Sequence, residues 1–513
     1  MSSATATGTD RIDAWIHGGA FTRTSLARYR VLYGVIALLT LPDFSWPALF
    51  PDSMYIAPPG PFMLFPGFPP ELVLRSLEAL FAACLFAILL GWFTRVASFL
   101  SVIVAMTGFG FTYSLGKIDH DIFLVLLPAA MALAGWGDRL SLDAVRRRAR
   151  GLPEPPERAE QWPLRLYALM IGLGFLTAAW PKIRGDWLSL QTQAVQGHQV
   201  RQYFTNGKDE LLAPFFLDFD HPVFWEILDI ATIVLEAGMI VAVLWWTTTR
   251  LAFAVAATFH LGVWLMMNIA FFMNVVTYGF VVPWDRVPVP RALRRSYAPP
   301  ARLVRLAPVV VLAGGIGWSL LIEAVGNAAD VVYPVVLVAG GIVGAWFLLA
   351  PVVRLGQSAR AVRRGADTSG RLLYDADCGF CTRAALWLAR RRPDRVAIVP
   401  WQSVPDLAGL GLREEDLSRQ AYWQSGTGPL RGGSGAIAAA MVARGGLATV
   451  AGLLIASDPV RPVADVVYRA VAARRHRMPG GTDSCELTPA PVRDDEHAGP
   501  GGAPPDPGPR RDS

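Results

Sequence analysis

The chain has 513 residues, of which 53% are hydrophobic and only 17% charged, whereas a soluble domain carries about 25% charge. That composition excludes a disordered protein, a collagen and a purely cytosolic enzyme, and it points to an integral membrane protein with a polar appendage. The net charge of +6 does not imply nucleic-acid binding, because the basic residues stand in short blocks beside apolar runs, as in the cytoplasmic loops of membrane proteins.

The first twenty residues hold Asp10, Asp13 and His17 and no long apolar core. No signal peptide is expected there, and the first span should act as its own insertion signal. Stretches apolar enough to cross a bilayer, which takes about 17–25 residues, begin near 29–41 and continue at 72–93, 96–114, 121–136, 163–181 and 223–246. One long run, 250–283, follows, and then 304–325 and 331–353. The arginines at 146–150, the six from Arg286 to Arg305 and the cluster from Arg354 to Arg371 belong in cytoplasmic loops. All three fall on that side only if 250–283 crosses twice, turning near Asn268. The expectation is therefore about ten crossings with both termini in the cytoplasm of a cell-membrane protein. The loop 43–71, which has no basic residue, would lie outside.

After Arg371 the pattern changes. A short apolar strand at 371–377 leads into a helix at 378–392 with Asp377 as its N-cap. A strand at 395–401, a helix around 407–417, strands at 421–424 and 429–432, a helix at 434–444 and helical segments to about 477 follow. Alternation of this length predicts a small α/β domain. The Pro-, Gly- and charge-rich end from 487 reads as disordered. The expected organisation is a cytoplasmic arm at 1–27, a transmembrane domain at 28–353, a basic linker at 354–370, the α/β domain at 371–485 and a tail at 486–513.

Four cysteines, Cys84, Cys378, Cys381 and Cys485, are too few and too unevenly spaced for a secreted disulfide framework. Cys84 reads as a small apolar residue in its span. Cys378-Gly379-Phe380-Cys381 places two thiols one turn apart where a strand gives way to a helix. The unpaired amides and dipole of the helix N-terminus favour a thiolate at Cys378. Cys381 is placed to resolve a mixed disulfide formed there. Asp375 and Asp377 act in the opposite sense, since nearby negative charge raises a thiol pKa. A structural zinc site would need His476 and Cys485 as further ligands, at a spacing that fits no common zinc pattern, so no metal is expected. A third reading is a buried pair without function.

The run Leu372-Leu373-Tyr374-Asp375-Ala376-Asp377-Cys378-Gly379-Phe380-Cys381 resembles the DCC family of thiol-disulfide oxidoreductases, whose signature D-x-x-C-x-x-C falls on Asp375, Cys378 and Cys381. Gly433-Ser434-Gly435-Ala436-Ile437, Ala464-Asp465-Val466-Val467-Tyr468 and Arg474-Arg475-His476-Arg477 extend the resemblance over about 110 residues. It implies a thioredoxin-like fold and a thiol or disulfide protein substrate. Ala376 departs from the family's usual glycine, and no proline precedes the 421–424 strand.

In the membrane part, ionisable residues near spans are functional candidates by default: Glu78, His120, Asp121, Lys182, Glu226, Asp229, Glu236 and His260. Most have a plain reading. Glu78 would pair with Arg75, Glu226 and Asp229 sit near a span end, and His260 reads as a packing histidine. Lys182 stands apart because the chain has only three lysines, Lys117, Lys182 and Lys208, among 47 basic residues. A partly desolvated lysine can act as a base where arginine cannot; the alternative is a lysine snorkelling to the interface.

The segment from Gly174 to Trp187 resembles the HTTM family, which is similar to the vitamin K-dependent γ-carboxylase. So do Ile118-Asp119-His120-Asp121-Ile122-Phe123, Phe65-Pro66-Gly67-Phe68-Pro69-Pro70 and Gly91-Trp92-Phe93-Thr94-Arg95. The resemblance covers about residues 28–290. It implies that Lys182 deprotonates a reduced quinone and that His120 assists. The carboxylase's large lumenal domain is replaced here by two spans and the cysteine domain, so glutamate carboxylation is not expected.

The resulting expectation is a polytopic α-helical membrane domain followed by a small thioredoxin-like domain. It would act as a membrane thiol-disulfide oxidoreductase, with Cys378, Cys381, Asp375, Lys182 and His120 as site residues. No tightly bound cofactor is expected; membrane lipid and a quinone-type lipid are the candidate small partners, and no nucleic acid. The alternative is a transporter or membrane assembly factor with a regulatory cysteine domain.

Overall fold

The computed structural model describes residues 8–116, 121–288, 301–363, 368–426, 429–457 and 460–481. The chain divides into two compact units, Met1–Val352 and Val353–Ser513.

The first unit is helical. Its longer helices are α1 (Arg23–Leu39), α2 (Glu71–Leu90), α3 (Thr94–Thr112), α4 (Asp121–Ala134), α5 (Trp162–Arg184), α6 (Ala194–Asn206), α7 (Pro222–Ala242), α8 (Trp246–Met267), α9 (Phe272–Tyr278), α10 (Ala301–Val325) and α11 (Ala329–Arg363). Among the described residues, six helices are long and apolar enough to cross a membrane, fewer than the ten crossings expected. The difference has physical causes. α1 and α4 have 17 and 14 residues, and at 1.5 Å per residue α4 spans about 21 Å of a hydrocarbon core about 30 Å thick. α7 is long enough, with 21 residues, but carries Glu226, Asp229 and Glu236.

The long run 250–283 breaks where expected, at Asn268, which closes α8 in the left-handed region at φ 52°. Its second arm is not the full helix expected. α9 and the 3-10 turn Gly279–Val281 are followed by extended backbone. The arm returns to the start of α1: Tyr29 Oη donates to Val276 O (2.6 Å), Ser25 Oγ to Val282 O (3.1 Å) and Arg28 Nη1 to Trp284 O (2.6 Å). Phe272, Val275, Val276, Tyr278, Phe280 and Val281 are all buried. Irregular backbone at membrane depth is tolerated when protein surrounds it.

Arginines tie the helix ends together on the side where α1 begins. Arg30, fully buried, donates to Leu89 O (2.8 Å), Leu140 O (2.5 Å), Trp136 O (3.2 Å) and Ile88 O, so it satisfies carbonyls at the end of α2 and beyond α4. Arg23 meets Asp138 at 2.8 Å, and Arg165 donates to Leu244 O at 3.2 Å beyond α7. Five planar donors on a permanent charge suit this task better than an ammonium. Close approach of α10 to α2 needs Gly315, where a Cβ would lie 2.6 Å from Ala83 backbone atoms.

The second unit carries a four-stranded mixed sheet of order β2-β1-β3-β4, from β1 (Gly370–Tyr374), β2 (Val396–Pro400), β3 (Tyr422–Ser425) and β4 (Arg431–Gly432). β1 pairs parallel with β2 and antiparallel with β3, which pairs antiparallel with β4. Successive residues of β1 face opposite sides. Leu372 packs with Trp423 and with Ala385, Leu388, Ala436 and Ala440, from α12 (Gly379–Ala389) and α14 (Ser434–Arg444). Leu373 packs with Leu412 and Leu417, the latter on α13 (Glu414–Arg419). The helix expected at 407–417 is instead a 3-10 turn, Ala408–Leu410, and α13; Gly411 separates them at φ 71°. α15 (Leu447–Ala456) and α16 (Arg461–Arg474) complete the unit.

Candidate functional site

The turn out of β1 delivers Cys378 to the start of α12. Cys378, not Asp377, is the N-cap: its Sγ accepts from Cys381 N–H at 3.5 Å. Asp377 is one residue too early and receives Gln402 Nε2 at 3.2 Å. Cys378 is buried and takes part in a disulfide, whereas Cys381 is a half-buried free thiol. Cys84 is also free. Cys485 lies outside the described residues.

Cys381 faces a small cleft of about 80 Å³, lined by Tyr374, Phe380, Ile437, Tyr468 and Val471. Arg475, 5% exposed, reaches the thiol from the turn after α16: Nη1 lies 3.8 Å from Sγ, and Nη2 donates to Ser418 O at 2.6 Å. Asp375, also buried, sits 4.0 Å from the same guanidinium and accepts from Gln402 Nε2 at 2.8 Å. Burial holds the Cys381 thiol above its ordinary pKa. Arg475 opposes this and Asp375 reinforces it.

In the first unit, Lys182 at the end of α5 donates to both carboxylate oxygens of Glu236 on α7, at 2.5 and 2.6 Å. The pair borders a cavity of about 710 Å³ between α5, α7, α8 and the return arm. Deeper in it, His260 Nε2 lies 3.0 Å from Tyr278 Oη, while the buried Asn274 Oδ1 has no hydrogen-bond partner among the described residues. The other walls are mostly apolar, including Phe123, Phe175, Val263 and Met266.

The HTTM domain family matches residues 20–282, just over half of the chain. The chain belongs to the HTTM family. Residues 372–481 of this HTTM protein match the DCC1-like thiol-disulfide oxidoreductase family, so the fusion suggested by the motifs is present. The two domain matches support a redox role, and the apolar helices are consistent with a membrane protein. No curated protein and no solved structure matches it.

Of the site residues expected from sequence, Cys378, Cys381 and Asp375 come together with Arg475 in the DCC1-like domain. Lys182 meets Glu236 in the HTTM domain. His120 and Lys117 lie outside the described residues. Several plain readings change. Glu78 does not pair with Arg75, which is bound by Glu71 and Glu323; it accepts instead from the Phe44 and Ser45 amides at 2.6 and 2.9 Å. Asp229 caps α6 by accepting from the amides of Ala194 and Val195. Arg475, Gln402 and Asn274 were not assigned from sequence. Arg475 was legible only as part of a basic cluster, and Asn274 as a lone amide in an apolar run.

Proposed function

We propose that this protein is a membrane-bound thiol-disulfide oxidoreductase in which Cys378 carries the mixed disulfide and Cys381 resolves it. One observation carries the reading: Cys378 caps the start of α12, and Cys381 one helical turn on is a free thiol beside a buried guanidinium. In the reaction, Cys378 thiolate attacks a substrate disulfide. One substrate sulfur becomes bonded to Cys378 Sγ and the other leaves as a thiolate. Cys381, deprotonated beside Arg475, then attacks Cys378 Sγ and expels the remaining substrate sulfur. The product is a Cys378–Cys381 disulfide, and two electrons and the two protons of the cysteine thiols end on the substrate dithiol. The same steps in reverse oxidise a dithiol. The β2-β1-β3-β4 sheet, with β1 and β2 parallel and helices on both faces, supports a thioredoxin-like fold.

The HTTM cavity supports a quinone-type lipid as the redox partner. Asn274 Oδ1 is an orphaned acceptor inside it, suited to a hydroxyl head, and the Lys182–Glu236 pair can hold or move a proton at its rim. When bound, such a lipid would supply a two-electron couple. The arginine-bound helix ends favour an orientation in which the starts of α1, α5 and α8 face the cytoplasm. With the return arm and α10 and α11, this orientation accounts for about ten crossings and a cytoplasmic cysteine domain. The experiment is a redox titration of the cysteines in native membranes, trapping free thiols by alkylation with and without added quinone and quinol. Cycling that shifts with quinone supports both parts. Cycling indifferent to quinone removes the lipid partner, and cysteines that never form a disulfide with each other remove the oxidoreductase reading.

A further inference from the structure

A second cavity of the HTTM domain shares no lining residue with the one beside Lys182. It holds about 380 Å³ between α1, α8, the return arm and α11. Helical spacing puts each wall on one face. Val331, Val335, Ala339, Val343 and Phe347 follow one another at i+4 along α11. Leu32, Ile36 and Leu39 stand at i, i+4 and i+7 on α1, and Arg250, Phe253 and Ala257 at i, i+3 and i+7 on α8. At 1.5 Å per residue the α11 stripe is about 24 Å long, more than half of a hydrocarbon core about 30 Å thick. Val331 and Val335 are 67% and 60% exposed, so the groove is open along one side.

Arg250 is the one charged residue among the described residues that lines this groove. Its Nε is buried and has no hydrogen-bond partner among them. Nothing nearby replaces that partner. The Phe21 ring lies 5.3 Å from the guanidinium carbon, and the charges of Asp285 and Arg286 act on it in opposite senses. The other polar groups in the walls are satisfied: Tyr29 Oη donates to Val276 O, Tyr278 Oη is paired with His260, and Trp284 Nε1 donates to Gly279 O. A buried guanidinium N–H without an acceptor is costly, and its planar donors match phosphate oxygens. Arg250 stands near the start of α8, which is long and apolar enough to cross a membrane, so this end of the groove meets headgroups. A free phosphate would leave the apolar walls unfilled, and an uncharged lipid would leave the guanidinium unpaired. We propose that the groove binds one anionic phospholipid, with its phosphate on Arg250 and one acyl chain along α11. The open side leaves the second chain in the bilayer. The proposal depends on neither the thiol reaction nor the quinone.

The test titrates phosphatidylglycerol, phosphatidylcholine or palmitate into the delipidated full chain in neutral detergent and counts bound molecules by native mass spectrometry. One phosphatidylglycerol per chain is expected to bind, more tightly than either of the other two. Arg250→Gln should weaken that first binding about tenfold, as expected for the loss of a hydrogen bond to a charged group. Ala339→Trp, at an exposed position of the α11 stripe, fills the groove and should weaken it as much; it decides the matter if Arg250→Gln fails to fold. Arg148→Gln, which changes an exposed arginine outside the groove, should leave binding as it was. Equal affinity for phosphatidylcholine, or equal or tighter binding of palmitate, would overturn the proposal. So would unchanged binding in Arg250→Gln or Ala339→Trp, equal weakening in Arg148→Gln, or no bound lipid at all.

Discussion

Replacing Arg475 with glutamine removes the one cation among the described residues that contacts the Cys381 sulfur, while keeping a donor for Ser418 O. The guanidinium nitrogen lies 3.8 Å from Sγ. At that separation a unit charge stabilises a thiolate by about 4 kcal/mol at an effective dielectric constant near 20, and by about 1 kcal/mol in a water-like medium. One pH unit corresponds to about 1.4 kcal/mol, so the Cys381 midpoint should rise by about 1–3 units. Asp375, 4.0 Å from the same guanidinium, loses its counter-charge in the variant and adds to the rise. The sign is fixed: burial and Asp375 already hold the thiol above its ordinary value, and Arg475 alone among the named charges pulls it down. The assay is the alkylation rate of Cys381 against pH, read by mass spectrometry of its peptide. The rate in the native protein should still be climbing above pH 9, that of Arg475→Gln should be slower throughout, and Arg475→Lys should restore part of the difference. An unchanged midpoint in Arg475→Gln would refute the assignment of Arg475 as the group that activates Cys381.

Cys381→Ser should leave adducts on Cys378 unresolved, so that mixed disulfides with substrate accumulate on non-reducing gels, whereas Cys378→Ser should form none. Lys182→Met leaves the carboxylate of Glu236 without its partner and should lower stability by about 2–3 kcal/mol, below the usual 3–5 for a fully buried pair because the Lys182 side chain keeps 23% exposure. The double variant Lys182→Met/Glu236→Leu should recover most of that loss in thermal unfolding in detergent, and equal losses in both would refute the coupling. Gly315→Leu forces a side chain against the Ala83 backbone and should cost about 1–3 kcal/mol, seen as earlier release of the α10–α11 segment in limited proteolysis.

The parts legible from sequence were those that depend on local pattern. Apolar runs and arginine blocks marked the membrane unit, because the bilayer acts on hydropathy and charge residue by residue. The short apolar run expected at 371–377 and the C-x-x-C step located the strand, which ends at Tyr374, and the helix that present Cys378, since apolar runs and helix N-termini are properties of a few consecutive residues. Even the break in the long apolar run fell at Asn268, one of the few residue types that readily take positive φ.

Tertiary structure decided what joins these pieces. That the arm after Asn268 is only a short helix and a 3-10 turn depends on what encloses it, including Tyr29 of α1, 247 residues before Val276. Arg475, 94 residues from Cys381, and Glu236, 54 residues from Lys182, become site residues only through packing. So does Glu78, which binds the amides of Phe44 and Ser45 rather than the nearby Arg75. A charge in an apolar surrounding takes whichever partner the fold brings within hydrogen-bond reach, and spacing along the chain does not reveal that distance.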